Sequence, residues 1–441
     1  MTSSTAIPFN FTMKKVRQFT RFFHFAAFAL VIMTACSGVF AQTVMQQPRQ
    51  EKLLNGLKLL MWSDPTASNV TVKIRIHSGA SFDPQGKEGV MRLLADNIFP
   101  TEAAREFFRE DLGGSLEITT SYDYIQIDAS GKSDEFLTIL ETLASAVANP
   151  TIDKPTTAKL KEPLSKLVKE LEQDPAYVAD AAVMKRLFGT FPYGRPKFGT
   201  PESIAKIDFA DLIDAKQRFL TADNATVAIS GNFDKVLGFR AARRYFGAWL
   251  KSDRRIPSTF RQPDPPPAAL LTIPSPKADV SAIRFATRGV ARSDKDFAAS
   301  FVFSRIIETR LRSRVPSAFS DRVLAGAVAH VLPGVLVIGF SAAKGDIGTG
   351  NGKIEANDLV SKALNDPITD AEFAAARTSF LAWWATINTM ELWLDIDTFK
   401  TGEPAAETKA VNSVTIADVS AFANKIKSAP MASILVNTPA N

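Results

Sequence analysis

Arg92, Ala95 and Asp96 are the residues whose spacing bears most directly on chemistry. They lie in Glu-Gly-Val-Met-Arg-Leu-Leu-Ala-Asp-Asn-Ile-Phe-Pro, residues 88–100. Positions four apart on a helix share one face. Such a face can present two metal ligands at i and i+4, with a general base beside them. Here the types are wrong for that task. Arginine has no lone pair to give a metal, and alanine cannot take a proton from water. Arg92 and Asp96 can instead form an i, i+4 ion pair, worth at most about 0.5 kcal/mol if exposed.

Other reactive side chains are sparse. Cys36 is the only cysteine, so the chain has no disulfide of its own, and it lies near the N terminus, apart from any candidate site. The histidines are His24, His77 and His330. His77 ends a strand-like run and His330 sits in another, and both read as hydrogen-bonded structural residues. No Ser-His-Asp order or nucleophile elbow appears. Gly345 to Lys353 is Gly-rich, but Ile347 stands where a phosphate loop needs its first Gly, and Ile354 where it needs Ser or Thr. It reads as a loop. Trp383, Trp384 and Trp393 fall in an apolar stretch from Phe380 to Leu394, read as helical and as core or interface packing.

The N-terminal residues read as a secretory leader. Met13-Lys14-Lys15-Val16-Arg17 is followed by an apolar run from Phe22 to Met33 and by Val39-Phe40-Ala41, a small-residue cleavage site. The run is too short to span a membrane. A second reading makes Cys36 the lipidated residue of a lipoprotein box. The net charge of +6 falls to +2 without residues 1–41, because these hold Lys14, Lys15, Arg17 and Arg21 and no acid. That balance gives no electrostatic case for nucleic acid.

The remainder divides at a Pro-rich joint, Arg254-Arg255-Ile256-Pro257 running on to Pro263-Asp264-Pro265-Pro266-Pro267. Each half opens with a strand, Val70–Ile76 and Val280–Phe285, ending at a glycine (Gly79, Gly289) before a polar stretch and an amphipathic helix. Asn55-Gly56 marks a hairpin turn ahead of the first. Each half closes with a capped helix, Asp208 with Asp211 and Thr415 with Asp418, and then a strand, Thr226–Ser230 and Ala432–Val436. The pattern predicts a duplicated α+β domain: two homologous domains, each a mainly antiparallel sheet with helices packed on one side. The expected bounds are 1–41 for the signal peptide, 42–255 for the first domain, 256–268 for the linker and 269–441 for the second domain.

In this order and spacing the chain resembles the insulinase/pitrilysin family of zinc peptidases, its mitochondrial processing peptidase-like branch above all. The resemblance covers residues 50–441. It rests on Ser78-Gly79 through Gly89, on Phe191-Pro192-Tyr193-Gly194-Arg195-Pro196 leading to Gly199-Thr200-Pro201-Glu202-Ser203-Ile204, on Asn224-Ala225-Thr226 and on Val414–Val419. The family's first helix carries His-x-x-Glu-His. Aligning Gly89-Val90 sets Arg92, Ala95 and Asp96 on those three positions. The resemblance implies a third ligand near Glu170 and Glu172, on a helix from Lys159 to Glu172. Either could be a relic of it, although a solvated face is the plainer reading. It also implies a substrate-binding Arg and Tyr seven apart in the second half. Arg312 and Phe319 hold that spacing, with the tyrosine hydroxyl lost; Phe319 taken alone reads as core, and Arg312 as a helix-end cation.

The expectation is therefore a non-catalytic, peptide-binding subunit of an exported, periplasmic or secreted zinc peptidase. Zinc is expected in a homologous partner carrying His-x-x-Glu-His and not in this chain. The partners are that subunit and peptide substrates, with no nucleic acid and no transmembrane segment. The alternative is a binding or assembly protein of the same fold with no peptidase partner.

Overall fold

A computed structural model of the chain describes residues 47–252, 260–277, 279–348 and 353–437. The expected signal peptide, with Cys36, lies outside the described residues, as do 253–259 of the joint and 349–352 of the Gly-rich loop. No helix among the described residues is long and apolar enough to cross a membrane.

The first half holds β1 (Arg49–Lys52), β2 (Lys58–Ser63), β3 (Asn69–Ile76), β4 (Ser115–Thr120), β5 (Ile125–Lys132) and β6 (Ala225–Gly231). Its helices are α1 (Val90–Ile98), α2 (Ala103–Glu110), α3 (Phe136–Ala148), α4 (Lys154–Leu171), α5 (Pro175–Phe188), α6 (Pro201–Lys206), α7 (Phe209–Phe219) and α8 (Lys235–Phe246). The second half holds β7 (Leu271–Pro274), β8 (Val280–Arg288), β9 (Val323–Val328), β10 (Val335–Ala343) and β11 (Met431–Asn437). Its helices are α9 (Phe297–Arg314), α10 (Ala356–Asn365), α11 (Asp370–Ala385), α12 (Thr389–Phe399), α13 (Pro404–Asn412) and α14 (Ile416–Ser428).

The first sheet runs β1-β2-β6-β3-β5-β4 and the second β7-β11-β8-β10-β9. Setting β1 aside, the two orders match strand for strand. In each, one pair is parallel (β2 with β6, β7 with β11) and the rest are antiparallel. The duplication read from the sequence is thus a duplication of topology. Its local signals act as expected. Gly56 takes a left-handed φ of +90° between β1 and β2. Asp208 and Thr415 each cap a helix through a reciprocal capping box, with Asp211 and Asp418.

Two elements differ from expectation. The stretch from Phe380 to Leu394 is not one helix. Asn388 caps a new one, α12, by accepting from the Met390 amide, so the tryptophans split between α11 and α12. The helix that opens the second half, α9, is not amphipathic: Phe297 to Ser304 is buried all round.

Strand alternation shows how the halves join. On β3, Val70, Val72, Ile74 and Ile76 face the helices of their own half. The opposite face of that sheet takes α12 from the second half, where Met390, Trp393 and Leu394 pack on Leu60, Trp62 and Ala228. The exchange is reciprocal. Helix α5 of the first half packs Ala179, Val183 and Leu187 on Ala282, Ala286, Ile434 and Val436 of the second sheet. Each sheet therefore has its own helices on one side and a borrowed helix on the other.

Candidate functional site

The stretches that carry the resemblance build a cradle for the start of α1. Gly89 precedes the helix at φ +107°, where a Cβ would meet the Phe198 carbonyl oxygen at 3.2 Å. The Asp83 carboxylate caps the first turn, accepting from the amides of Gly89 (2.8 Å) and Met91 (2.7 Å). Arg195 fixes that loop by donating to the carbonyls of Asp83 (2.5 Å) and Ser81 (2.9 Å). Ser203 Oγ donates to the Glu88 carbonyl at 2.8 Å while completing a capping box with Thr200. Burial pushes Asp83 up to about 7, against the two amide donors and the Arg195 guanidinium that favour its charged form.

On the helix so held, Arg92 Nε donates to both carboxylate oxygens of Asp96, at 3.1 and 2.9 Å. These side chains are 27% and 20% exposed. Ala95 is buried. Phe198 lies beside them, its ring centroid 5.6 Å from the Arg92 guanidinium carbon and 4.5 Å from Lys197 Nζ. Burial and the Arg92 charge hold the Lys197 amine below its usual range. Lys197 was not singled out from the sequence; only the fold brings its loop over α1.

Glu170 and Glu172 do not join this group. Glu170 is solvent-exposed on α4, 4.0 Å from Lys166. Glu172, at the end of α4, is raised by burial and by Glu202. Zinc needs lone pairs from imidazole, thiolate or carboxylate, in a closed set of three or four. A guanidinium, a methyl group and a carboxylate already bound to that guanidinium do not fit it. Among the described residues no group of three or more His, Cys, Asp or Glu side chains is placed to hold a metal.

Arg312, in the last turn of α9, donates to Glu308 (2.8 Å) and to the Ser320 carbonyl (3.0 Å). Phe319 lies in the turn that follows, half-buried and not in the core, with the Arg322 guanidinium 5.9 Å from its ring centroid. The Arg310 guanidinium, two residues back and on another face of the helix, is instead buried and holds Glu372 together with the carbonyls of Ala363, Asp366 and Pro367. Arg312 is thus the helix-end cation open to solvent, and its guanidinium is already partly engaged.

Both expected structural histidines lie between the halves. His77 is hydrogen-bonded to Thr398 (2.9 Å) and Thr226 (3.0 Å), and burial pushes it down to about 3. His330 Nδ1 meets Asp123 at 2.6 Å and stacks on Tyr193, whose hydroxyl also donates to Asp123 at 2.9 Å. Sequence reasoning missed the charges nearby. Arg75, fully buried on β3, holds Glu391 and Asp395 of α12 and donates to Gln126 at 2.7 Å. Lys73 pairs with Glu391 and Asp128, each at 2.7 Å. On the second sheet Arg284 binds Asp180 of α5 at 2.6 Å. Each borrowed helix thus meets a buried arginine on a central strand.

Comparison with known proteins places this architecture. Residues 58–201 match the family model described as insulinase (peptidase family M16), and residues 206–380 the model described as peptidase M16 inactive domain. An uncharacterized zinc protease of Bacillus subtilis is 22% identical over 200 residues, 44% of this chain and 49% of that protein. The mitochondrial-processing peptidase subunit beta of Blastocladiella emersonii is 24% identical over 223 residues, 49% of this chain and 48% of that protein. The chain thus spans about half the length of the curated relatives it matches. The crystal structure of a peptidase M16 inactive domain from Pseudomonas fluorescens shares the fold with a TM-score of 0.77 at 19% identity, over 90% of this chain and 98% of that one. A chain of Complex III2 from Candida albicans does so with a TM-score of 0.70 at 15% identity, over 88% and 95%.

Proposed function

The chain belongs to the insulinase family of peptidases, M16, and from that premise we propose that it is the non-catalytic, peptide-binding subunit of an exported two-chain zinc peptidase. The observation that carries this reading is the Arg92–Asp96 pair with buried Ala95, on the three positions that the family resemblance aligns with His-x-x-Glu-His. A homologous partner supplies the two histidines, the glutamate, the third ligand and the zinc. This chain encloses and orients the peptide and transfers no proton. Arg312 and Phe319 are its contacts to peptide in the second half. Residues 1–41 direct export, and 256–268 join domains 42–255 and 269–441.

Co-purification from native extract tests the proposal. The expected result is a bound metallopeptidase with chelator-sensitive cleavage, and a purified chain that alone holds no stoichiometric zinc and cleaves no peptide. One tight zinc per isolated chain overturns it. A second reading, an assembly protein with no peptidase partner, draws on the likeness to a chain of Complex III2. Recovery in a stable complex lacking any metallopeptidase favours it.

A further inference from the structure

We propose that Arg92 and Lys197 together form a carboxylate-binding site for peptide, at the place on α1 where an active relative would present its metal. The inference rests on the peptide-binding role and names the chemistry it recognises. Asp96 occupies only Nε of Arg92, and neither Nη group has a hydrogen-bond partner among the described residues. Lys197 has no carboxylate partner among the described residues. Its ammonium and the Arg92 guanidinium share the Phe198 ring, at 4.5 and 5.6 Å. Arg92, Asp96 and Lys197 thus sum to one uncompensated positive charge beside an aromatic ring, with Arg92 and Asp96 partly open to solvent.

A desolvated cation without a partner is what an incoming anion stabilises. Burial and the neighbouring Arg92 charge both hold the Lys197 amine low, and a bound carboxylate would oppose that lowering. The paired Nη donors match a planar, two-oxygen acceptor. A single surplus charge suits a monoanion, so a carboxylate fits better than a phosphate dianion. The carboxylate is either the C terminus of a peptide or an acidic side chain.

The test uses the full chain and a fluorescently labelled apolar peptide in three forms: free C-terminal acid, C-terminal amide, and amide with one internal Glu. The expected result is binding of one or both carboxylate forms at least about tenfold tighter than the plain amide, weakening with salt. The free acid alone identifies the terminus; both forms identify any peptide carboxylate. Lys197→Met abolishes the preference without lowering Tm, and Lys197→Arg keeps it. Equal affinity for all three peptides, or a preference that survives Lys197→Met, overturns the site. A chain that prefers carboxylates but co-purifies with no metallopeptidase keeps the site and loses the proposed role. A chain that co-purifies with one yet shows no preference keeps the role and loses the site.

Discussion

Replacing Arg75 by methionine tests whether the halves are joined as described. The guanidinium is 1% exposed; it binds Glu391 and Asp395 and lies 4.3 Å over the Tyr124 ring. Its loss leaves two carboxylates of α12 against the first sheet. Breaking a buried pair from one side costs about 3–5 kcal/mol. Lys73 still holds Glu391 at 2.7 Å and Arg292 still holds Asp395 at 3.2 Å, so the lower end, about 3 kcal/mol, is expected. The double variant Arg75→Met/Glu391→Met removes both charges, while Lys73 keeps Asp128. It is expected to lose only about 1 kcal/mol, a coupling of about 2 kcal/mol or more. Urea unfolding followed by tryptophan fluorescence measures both, because Trp62 and Trp393 meet across this contact at 6.4 Å. An acid limb gives a further check. Burial alone would raise Glu391, but Arg75 and Lys73 hold it below the usual carboxylate range. Its contribution is therefore full above an unfolded value near about 4.3 and is lost as pH falls through the folded one, a loss that Arg75→Met should blunt. Arg75→Met within about 0.5 kcal/mol of the wild type, or a double variant that is simply additive, refutes the reasoning.

Asp83→Ala should cost about 1–2 kcal/mol in urea unfolding, the value of an N-terminal cap. Because Asp83 is raised to about 7, the native state takes up its proton, and the stability this confers fades as pH rises from about 3.9 to about 7. Asp83→Asn should flatten that interval in a pH series. Asp123→Ala strands His330, the Tyr193 hydroxyl and the Val331 amide at once, and should cost about 2–4 kcal/mol by the same unfolding assay. Lys197, held below the ordinary lysine range, should begin to react with an acylating reagent at a lower pH than exposed lysines, read by peptide mass mapping. Labelling no earlier than the surface lysines refutes its placement.

Local chemistry was legible in the sequence where a few neighbouring residues decide it. Asn55-Gly56, the caps at Asp208 and Thr415, and the alternation of Val70–Ile76 each specify their own geometry, and their recurrence revealed the duplication. The Arg92–Asp96 pair was equally readable, since i, i+4 spacing alone brings the two together. What was not legible depends on distant partners. Lys73 and Arg75 alternate with Val and Ile as on a solvated strand face, and apart from Asp128 of β5 their carboxylates lie on α12, more than three hundred residues later. Lys197 meets α1 only because Gly199 turns at φ +79°, with its backbone against the Glu88 carbonyl. The break before α12 had a signal, Asn388 as a cap, but the apolar run around it concealed that.

The borrowed helices have a consequence for how such a chain can come apart. Neither half completes its own hydrophobic covering: an isolated first half would bare Leu60, Trp62 and Arg75 to water, and an isolated second half Ala282, Ile434 and Arg284. A protease that nicks the proline joint should therefore yield two fragments that stay clasped, and separately expressed fragments should seek each other out. On this expectation the swapped helices, more than the covalent connection, pin the two halves of the molecule together.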